Sequence, residues 1–188
     1  TGAAIGLYFA TANSSVTTTG TGSISMTSNS STGGDIFNNL TTLSAGGSVS
    51  ITTSKSMTLP NAWSTTGAAT YESTAGGVTV SANQSITGSG NALTIKAATD
   101  IITNNNLTTN GGNLIVWSDS DATGGGYIAI RATSVLSTDN GANSRTSTTT
   151  GNIVLAGGTD TSSPQDGIPD GSTSALTGAS YCGVESGT

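Results

Sequence analysis

The sequence predicts an all-β fold: a right-handed parallel β-helix, or β-solenoid, whose coils take roughly 20 residues with insertions at their corners. Three observations carry this expectation. A phrase of a glycine turn, a polar residue and a short apolar strand returns along the chain, most regularly between Gly76 and Gly158. Ser and Thr supply 65 of 188 residues, while only 7% are charged and 4% aromatic. Thr suits a pleated, half-exposed strand, and Asn and Gly suit tight turns. No segment shows a helical period, and the strong helix formers Glu, Lys and Gln are nearly absent. A disordered linker with this little apolar content would carry more charge and lack ordered apolar triplets.

In chain order, Ile5–Phe9 is the most apolar run of the first half, and Val16–Met26 reads as a turn followed by a strand with Ile24 and Met26 inward. Gly33–Phe37 and Gly46–Ile51 repeat the glycine phrase. Met57 and Leu59 make a short strand that ends at Pro60, which cannot donate to a ladder and marks a corner or edge. Asn61 to Thr74, with Trp63 and Tyr71, reads as an irregular, bulged corner. After Gly77 the phrases tighten: Val78-Thr79-Val80, Leu93-Thr94-Ile95, Leu114-Ile115-Val116, Ile128-Ala129-Ile130 and Ile153-Val154-Leu155. Ser85–Thr87, Asp100–Thr103 and Asn106–Thr109 fill the intervals, as a coil of three strands and three corners requires. Side chains alternate along a strand. The predicted core is therefore Val78, Val80, Leu93, Ile95, Leu114, Val116, Ile128, Ile130, Ile153 and Leu155. Asn and Thr at equivalent corners are expected to stack as polar ladders.

Charge excludes some functions. The net charge is −6, and Lys55, Lys96, Arg131 and Arg145 are scattered, so no basic patch exists to neutralise a phosphate backbone. No apolar run reaches the ~18 residues of a membrane span. There is neither a signal-peptide pattern nor an initiating Met, which reads as a segment of something longer. Thr1–Leu7 is similar to Thr177–Val184, with Thr1 set against Thr177 and Gly6 against Gly183, so that the second copy holds one extra residue. The expected organisation is thus a single solenoid segment over 1–188, one period of a tandem array plus the start of the next.

Candidate chemistry is sparse. There is no histidine, so the common general base and the hydrolase triads are missing, and an enzyme is not expected. Calcium wants six to eight oxygens. Two Asp-rich stretches could offer some: Asp119 and Asp121 before Gly124, and Asp160, Asp166 and Asp170 around two Asp-Gly turns. Neither has the spacing of a known calcium loop, and Asp-Gly is above all a turn dipeptide. The expected cofactor is none, with Asp160, Asp166 and Asp170 the weak calcium candidates. Lys96 with Asp100, or Arg131 with Asp119 and Asp121, are the carboxylate–base sets that an acidic-polysaccharide enzyme would need; solvated surface charge is the plainer reading of both. Thr17–Thr19 and Thr148–Thr150 suggest the threonine ladders of ice-binding solenoids but do not recur at coil spacing. Five Asn-x-Ser/Thr sequons, at Asn13, Asn29, Asn39, Asn83 and Asn106, fit chance in so Asn-, Ser- and Thr-rich a chain. Trp63 and Trp117 are candidates to stack on sugars, Trp117 sharing the face of Ile115. Cys182, the lone cysteine, reads as a small buried apolar residue or as one end of a bond outside the segment.

The Gly111–Val116 phrase, the run Leu93–Ile102 and Gly151–Leu155 resemble filamentous-haemagglutinin-type repeats of large secreted bacterial adhesins, over about residues 20–160. The resemblance implies a right-handed parallel β-helix, export to the cell surface and a role as stalk or adhesin, with no catalytic residues. The expected partners are neighbouring modules of the same chain or end-to-end copies, and surface glycans or a host or substratum surface, with no nucleic acid and no membrane span in this segment. The secretion domain such proteins bear at their N-terminus has no counterpart here. The alternatives are a polysaccharide-active β-helix enzyme and an ice-binding solenoid.

Overall fold

Short strands with one apolar face cannot stand alone, and here they stack. The structure, a computed structural model, describes residues 9, 11–29, 37–123, 125–131, 133–139 and 151–158, and the backbone of 184–186. Its described elements are all strands. They run β1 (Ser14–Thr17), β2 (Ile24–Ser28), β3 (Leu40–Ser44), β4 (Val49–Thr53), β5 (Met57–Leu59), β6 (Trp63–Thr65), β7 (Ala69–Ser73), β8 (Val78–Val80) and β9 (Gln84–Ser89). Then come β10 (Leu93–Ala97), β11 (Ile101–Thr103), β12 (Leu107–Asn110), β13 (Leu114–Ser118), β14 (Ile128–Ile130), β15 (Leu136–Ser137), β16 (Ile153–Gly157) and β17 (Val184–Ser186).

Every pairing is parallel, and from β4 onward strands three apart in sequence are neighbours in space. The result is a three-sided β-solenoid of about five turns. The first side carries β2-β4-β7-β10-β13-β16, the second β5-β8-β11-β14-β17, and the third β6-β9-β12-β15, while β1 pairs with β3. Val49, Ala69, Leu93, Leu114 and Ile153 hold one place in successive coils. The coils between them are of unequal length, shortest from Val49 to Ala69 and longest from Leu114 to Ile153. The uneven phrase spacing in the sequence has a second cause: Val78 and Ile128 belong to the second side, whereas Leu93, Leu114 and Ile153 belong to the first.

Each of the three coils from β4 to β12 points seven side chains inward from its strands. They are Val49, Ile51, Thr53, Met57, Leu59, Trp63 and Thr65 in one, and Ala69, Tyr71, Ser73, Val78, Val80, Gln84 and Ile86 in the next. Leu93, Ile95, Ala97, Ile101, Thr103, Leu107 and Thr109 fill the third. The buried threonines solve their own polar problem. At a strand end, Thr53, Thr65 and Thr103 each donate a hydroxyl to a carbonyl two residues on, at 2.7 Å (Lys55), 3.1 Å (Gly67) and 2.7 Å (Asn105), and Thr109 donates to Gly112. One hydrogen bond thus satisfies a buried oxygen and fixes the corner that follows.

Corners stack as tightly as strands. A Cβ on Gly112 would collide with the Asn91 carbonyl of the coil beneath, and one on Gly67 with the Gly47 carbonyl, so close backbone approach is what demands glycine there. Polar ladders form as expected, in mixed composition. The Asn83 Oδ1 accepts from the Asn106 N–H (3.1 Å), the Asn106 Oδ1 from Val135 N–H (2.9 Å), and the Asn113 Oδ1 from Asn152 N–H (2.9 Å). Ser23 Oγ accepts from both the N–H and the hydroxyl of Ser48, each at 3.1 Å.

Of the ten predicted core residues, Val78, Val80, Leu93, Ile95, Leu114, Val116 and Ile128 are buried, and Ile130 and Leu155 pack against the core. Ile153 departs from the expectation: it is 44% exposed, because β16 has a stacked neighbour on one side only among the described residues. Asn61–Thr74 is not an irregular corner. It contains β6 and β7, and Trp63 and Tyr71 are among the most deeply buried side chains. Its alternation is real, but large residues alternate with Thr, Ala and Ser instead of with other aliphatics. Val16, read as part of a turn, lies in β1. Pro60 does sit at a corner, between β5 and β6. Apart from the backbone of Val184, the terminal match between Thr1–Leu7 and Thr177–Val184 lies outside the described residues, as do Gly33–Ile36, Ile5 to Tyr8 and Cys182.

Candidate functional site

The outward positions inherit the same register as the core. On the first side, Ser25, Ser50, Thr70 and Thr94 form one column, and Thr27, Thr52, Glu72, Lys96 and Trp117 form the next. On the third side, Ser64, Ser85, Thr108 and Ser137 form a column, and the Thr108 hydroxyl donates to Ser85 Oγ at 3.1 Å. Thr58 and Thr79 stack on the second. Hydroxyls therefore repeat at the strand spacing of about 4.8 Å on three sides.

The columns end in apolar residues, Ile115 and Val154 on the first side and Ile102 and Ala129 on the second, and two further features stand out among the described residues. The first is a charged and aromatic stack. Lys96 Nζ lies 2.8 Å from Glu72 Oε1 and 4.5 Å from the centre of the Trp117 ring, so one ammonium bridges the coil below and the coil above. Trp117 is only 7% exposed, and its Nε1–H donates to the Gly158 carbonyl at 2.6 Å. Ile115 beside it is equally covered, which makes β13 buried on both faces. Trp117 thus closes over the outer wall and is not an open sugar platform. Trp63 is in the core and donates from Nε1 to the Leu40 carbonyl at 3.0 Å.

The second feature is a shallow groove of about 270 Å³ on the third side, lined by Ser85, Ile86, Thr87, Thr108, Thr109, Asn110 and Asp139. Its cause is a change of register. Thr108 faces Ser85 but Asn110 faces Ser89, so β9 carries two more residues than β12 over this interval. Ile86 points in and is buried. Asn110 Nδ2 donates to the Thr87 carbonyl at 2.7 Å, and the Thr87 hydroxyl donates to the Thr65 carbonyl at 3.2 Å.

The charge sets named from sequence are not assembled. Lys96 turns to Glu72, not to Asp100, whose Oδ1 accepts from the Tyr127 N–H at 3.1 Å. Arg131 follows β14 at the corner between the second and third sides; Asp119 follows β13 at the corner between the first and second, and is buried. Asp121 is exposed and accepts from Thr123 N–H at 3.0 Å. Asp160, Asp166 and Asp170 lie outside the described residues, as do Thr148–Thr150. Among the described residues no group of three or more His, Cys, Asp or Glu could hold a metal ion. Thr17 ends β1, and Thr18 leaves the strand to donate to the Gly22 carbonyl at 2.6 Å. Sequence reading missed the Glu72–Lys96–Trp117 stack because its members sit in three different coils of unequal length; only the pairing register brings them together. Compared with known family models, curated proteins and solved structures, the chain matches none.

Proposed function

We propose that this chain is a structural and adhesive segment of a bacterial surface adhesin or extracellular filament, working outside the cell as stalk or attachment surface. The observation that supports this reading best is the repetition of one outward chemistry in successive coils: Ser25, Ser50, Thr70 and Thr94 on one side, Ser64, Ser85, Thr108 and Ser137 on another. Such a surface offers many equivalent weak contacts instead of one deep pocket, and weak contacts gain strength by multiplicity. Stacked coils also give a rod without a hinge, because each depends on its neighbours. The resemblance to haemagglutinin-type repeats points the same way. Neighbouring modules and surface glycans are the partners this reading implies.

The test is attachment. Microspheres carrying the chain should hold to glycan-bearing cells or surfaces under flow better than bare spheres, and spheres carrying two linked copies should hold more strongly. No attachment above the bare-sphere level, or cleavage of polysaccharide by the soluble chain, would overturn the proposal. Ice binding is a second reading, favoured by the adjacent pairs Ser25/Thr27 and Ser50/Thr52 on the first side. Thermal hysteresis in a freezing assay would select it.

A further inference from the structure

The groove on the third side is a place where the hydroxyl coat becomes concave, and its polar groups are already arranged. Thr108 donates to Ser85 Oγ, so the Ser85 hydroxyl keeps its own hydrogen for an outside acceptor. The Asn110 carboxamide is anchored by its bond to the Thr87 carbonyl, and it carries a second N–H and an oxygen besides. Fixed groups lose little entropy on binding. Ile86 underlies them and Asp139 stands at the rim. The volume of about 270 Å³ lies below the range typical of drug-sized ligands and suits a small polar molecule.

We propose that this groove is a binding subsite for a neutral pyranose unit. The inference rests on the adhesive reading above and names its ligand class. A pyranose presents neighbouring hydroxyls that each donate and accept, matching the Ser85 donor and the Asn110 donor–acceptor pair. A uronic acid is disfavoured by the chain's net charge of −6. Binding at one groove is weak, and repetition along a filament supplies strength.

The experiment is an amide-resolved NMR titration of the whole 188-residue chain with methyl glucoside, methyl galactoside, methyl mannoside, N-acetylglucosamine and glucuronate. At least one neutral sugar should shift the amides of Ser85, Thr87, Thr108 and Asn110 in a saturable way, and glucuronate should not. Ser85→Leu, which fills the groove from its outward side, should weaken binding about tenfold or more, as expected for lost hydrogen-bonding groups. Thr58→Leu on the second side should leave it unchanged. No localised shift with any neutral sugar, equal response to glucuronate, or full binding by folded Ser85→Leu would overturn the proposal. The wild-type titration decides the matter even if Ser85→Leu fails to fold. The flow assay separates this from the broader reading. If wild-type and Ser85→Leu spheres attach equally, the groove proposal fails and adhesion stands; if wild-type spheres do not attach at all, the adhesive reading itself fails.

Discussion

The two ends of the described solenoid fill the same cross-section with different side chains. Toward the N-terminus the centre is aromatic. Phe9, Phe37, Trp63 and Tyr71 follow one another with ring centres 6.3, 6.1 and 5.8 Å apart, tilted or edge-on. From β10 onward it is aliphatic, with Leu93 on Leu114, Ile95 on Val116 and Ile101 on Ile128. On the first and second sides the backbone register does not change between the two. Where Tyr71 enters, Ala69 and Ser73 stand on either side of it in the same strand; where Leu93 and Ile95 enter, both are of similar size. Large–small pairing fills the interior as uniform branching does.

This difference can be broken in order of severity. Leu93→Asp should unfold the chain, because a charge in a dry column has neither water nor partner; a loss of about 4 kcal/mol or more is expected. Ile153→Asp, at a 44% exposed position, should shift a urea midpoint little. Equal midpoints for the two would refute the assigned inward register. Next, Trp63→Ala should cost about 3–5 kcal/mol and Ile95→Ala about 2–5 kcal/mol, since neither site can collapse without moving its stacked neighbours. Trp63→Phe separates ring from hydrogen bond. The Leu40 carbonyl also accepts from Asn61 Nδ2 at 3.0 Å, so it is not orphaned and the cost should be nearer ~1 kcal/mol.

The aromatic end also has a pH signature. Burial pushes the Tyr71 phenol above its ordinary value of 10.0. The unfolded chain then loses this proton first as pH rises. The stabilisation is fully present below about pH 10 and declines above it, through the folded value. Urea melts at pH 9 and in the window above pH 10 should show a falling midpoint that is flatter in Tyr71→Phe. Unchanged slope in that variant would mean the loss arises elsewhere. The smallest effect is expected at the outer stack. Glu72→Ala should cost a few tenths of a kcal/mol and Lys96→Ala about 0.5–1.5 kcal/mol, because Lys96 also loses its contact with Trp117. Lys55→Ala should be silent, and added salt should shrink the Glu72 effect.

The aliphatic end is legible in the sequence because Val, Ile and Leu announce an inward face directly. Alternation alone places Leu93, Ile95, Leu114 and Val116 correctly. The aromatic end is not legible, since Trp63-Ser64-Thr65 and Ala69-Thr70-Tyr71 carry one large residue per strand and look irregular without a coil length. Coil length is itself hidden: the first and second sides use the same glycine phrase, so counting from phrase to phrase mixes sides. The outer features suffer most. Glu72, Lys96 and Trp117 become neighbours only when coils of unequal length are laid in register. The groove depends on two extra residues in β9, which nothing in Gln84–Ser89 marks as surplus.

The central claim is that successive coils stack parallel and in register, and cysteine cross-linking tests it most directly. In a Cys182→Ala background, Ser50→Cys with Thr70→Cys places two outward thiols on facing residues of β4 and β7. Neighbouring strands lie about 4.8 Å apart, within the Cα range a disulfide accepts. This pair should oxidise rapidly and completely, while Ser50→Cys with Glu72→Cys, two residues out of register, should not. Equal or faster bridging by the offset pair would contradict the stacked register on which the core, the ladders and the groove all depend.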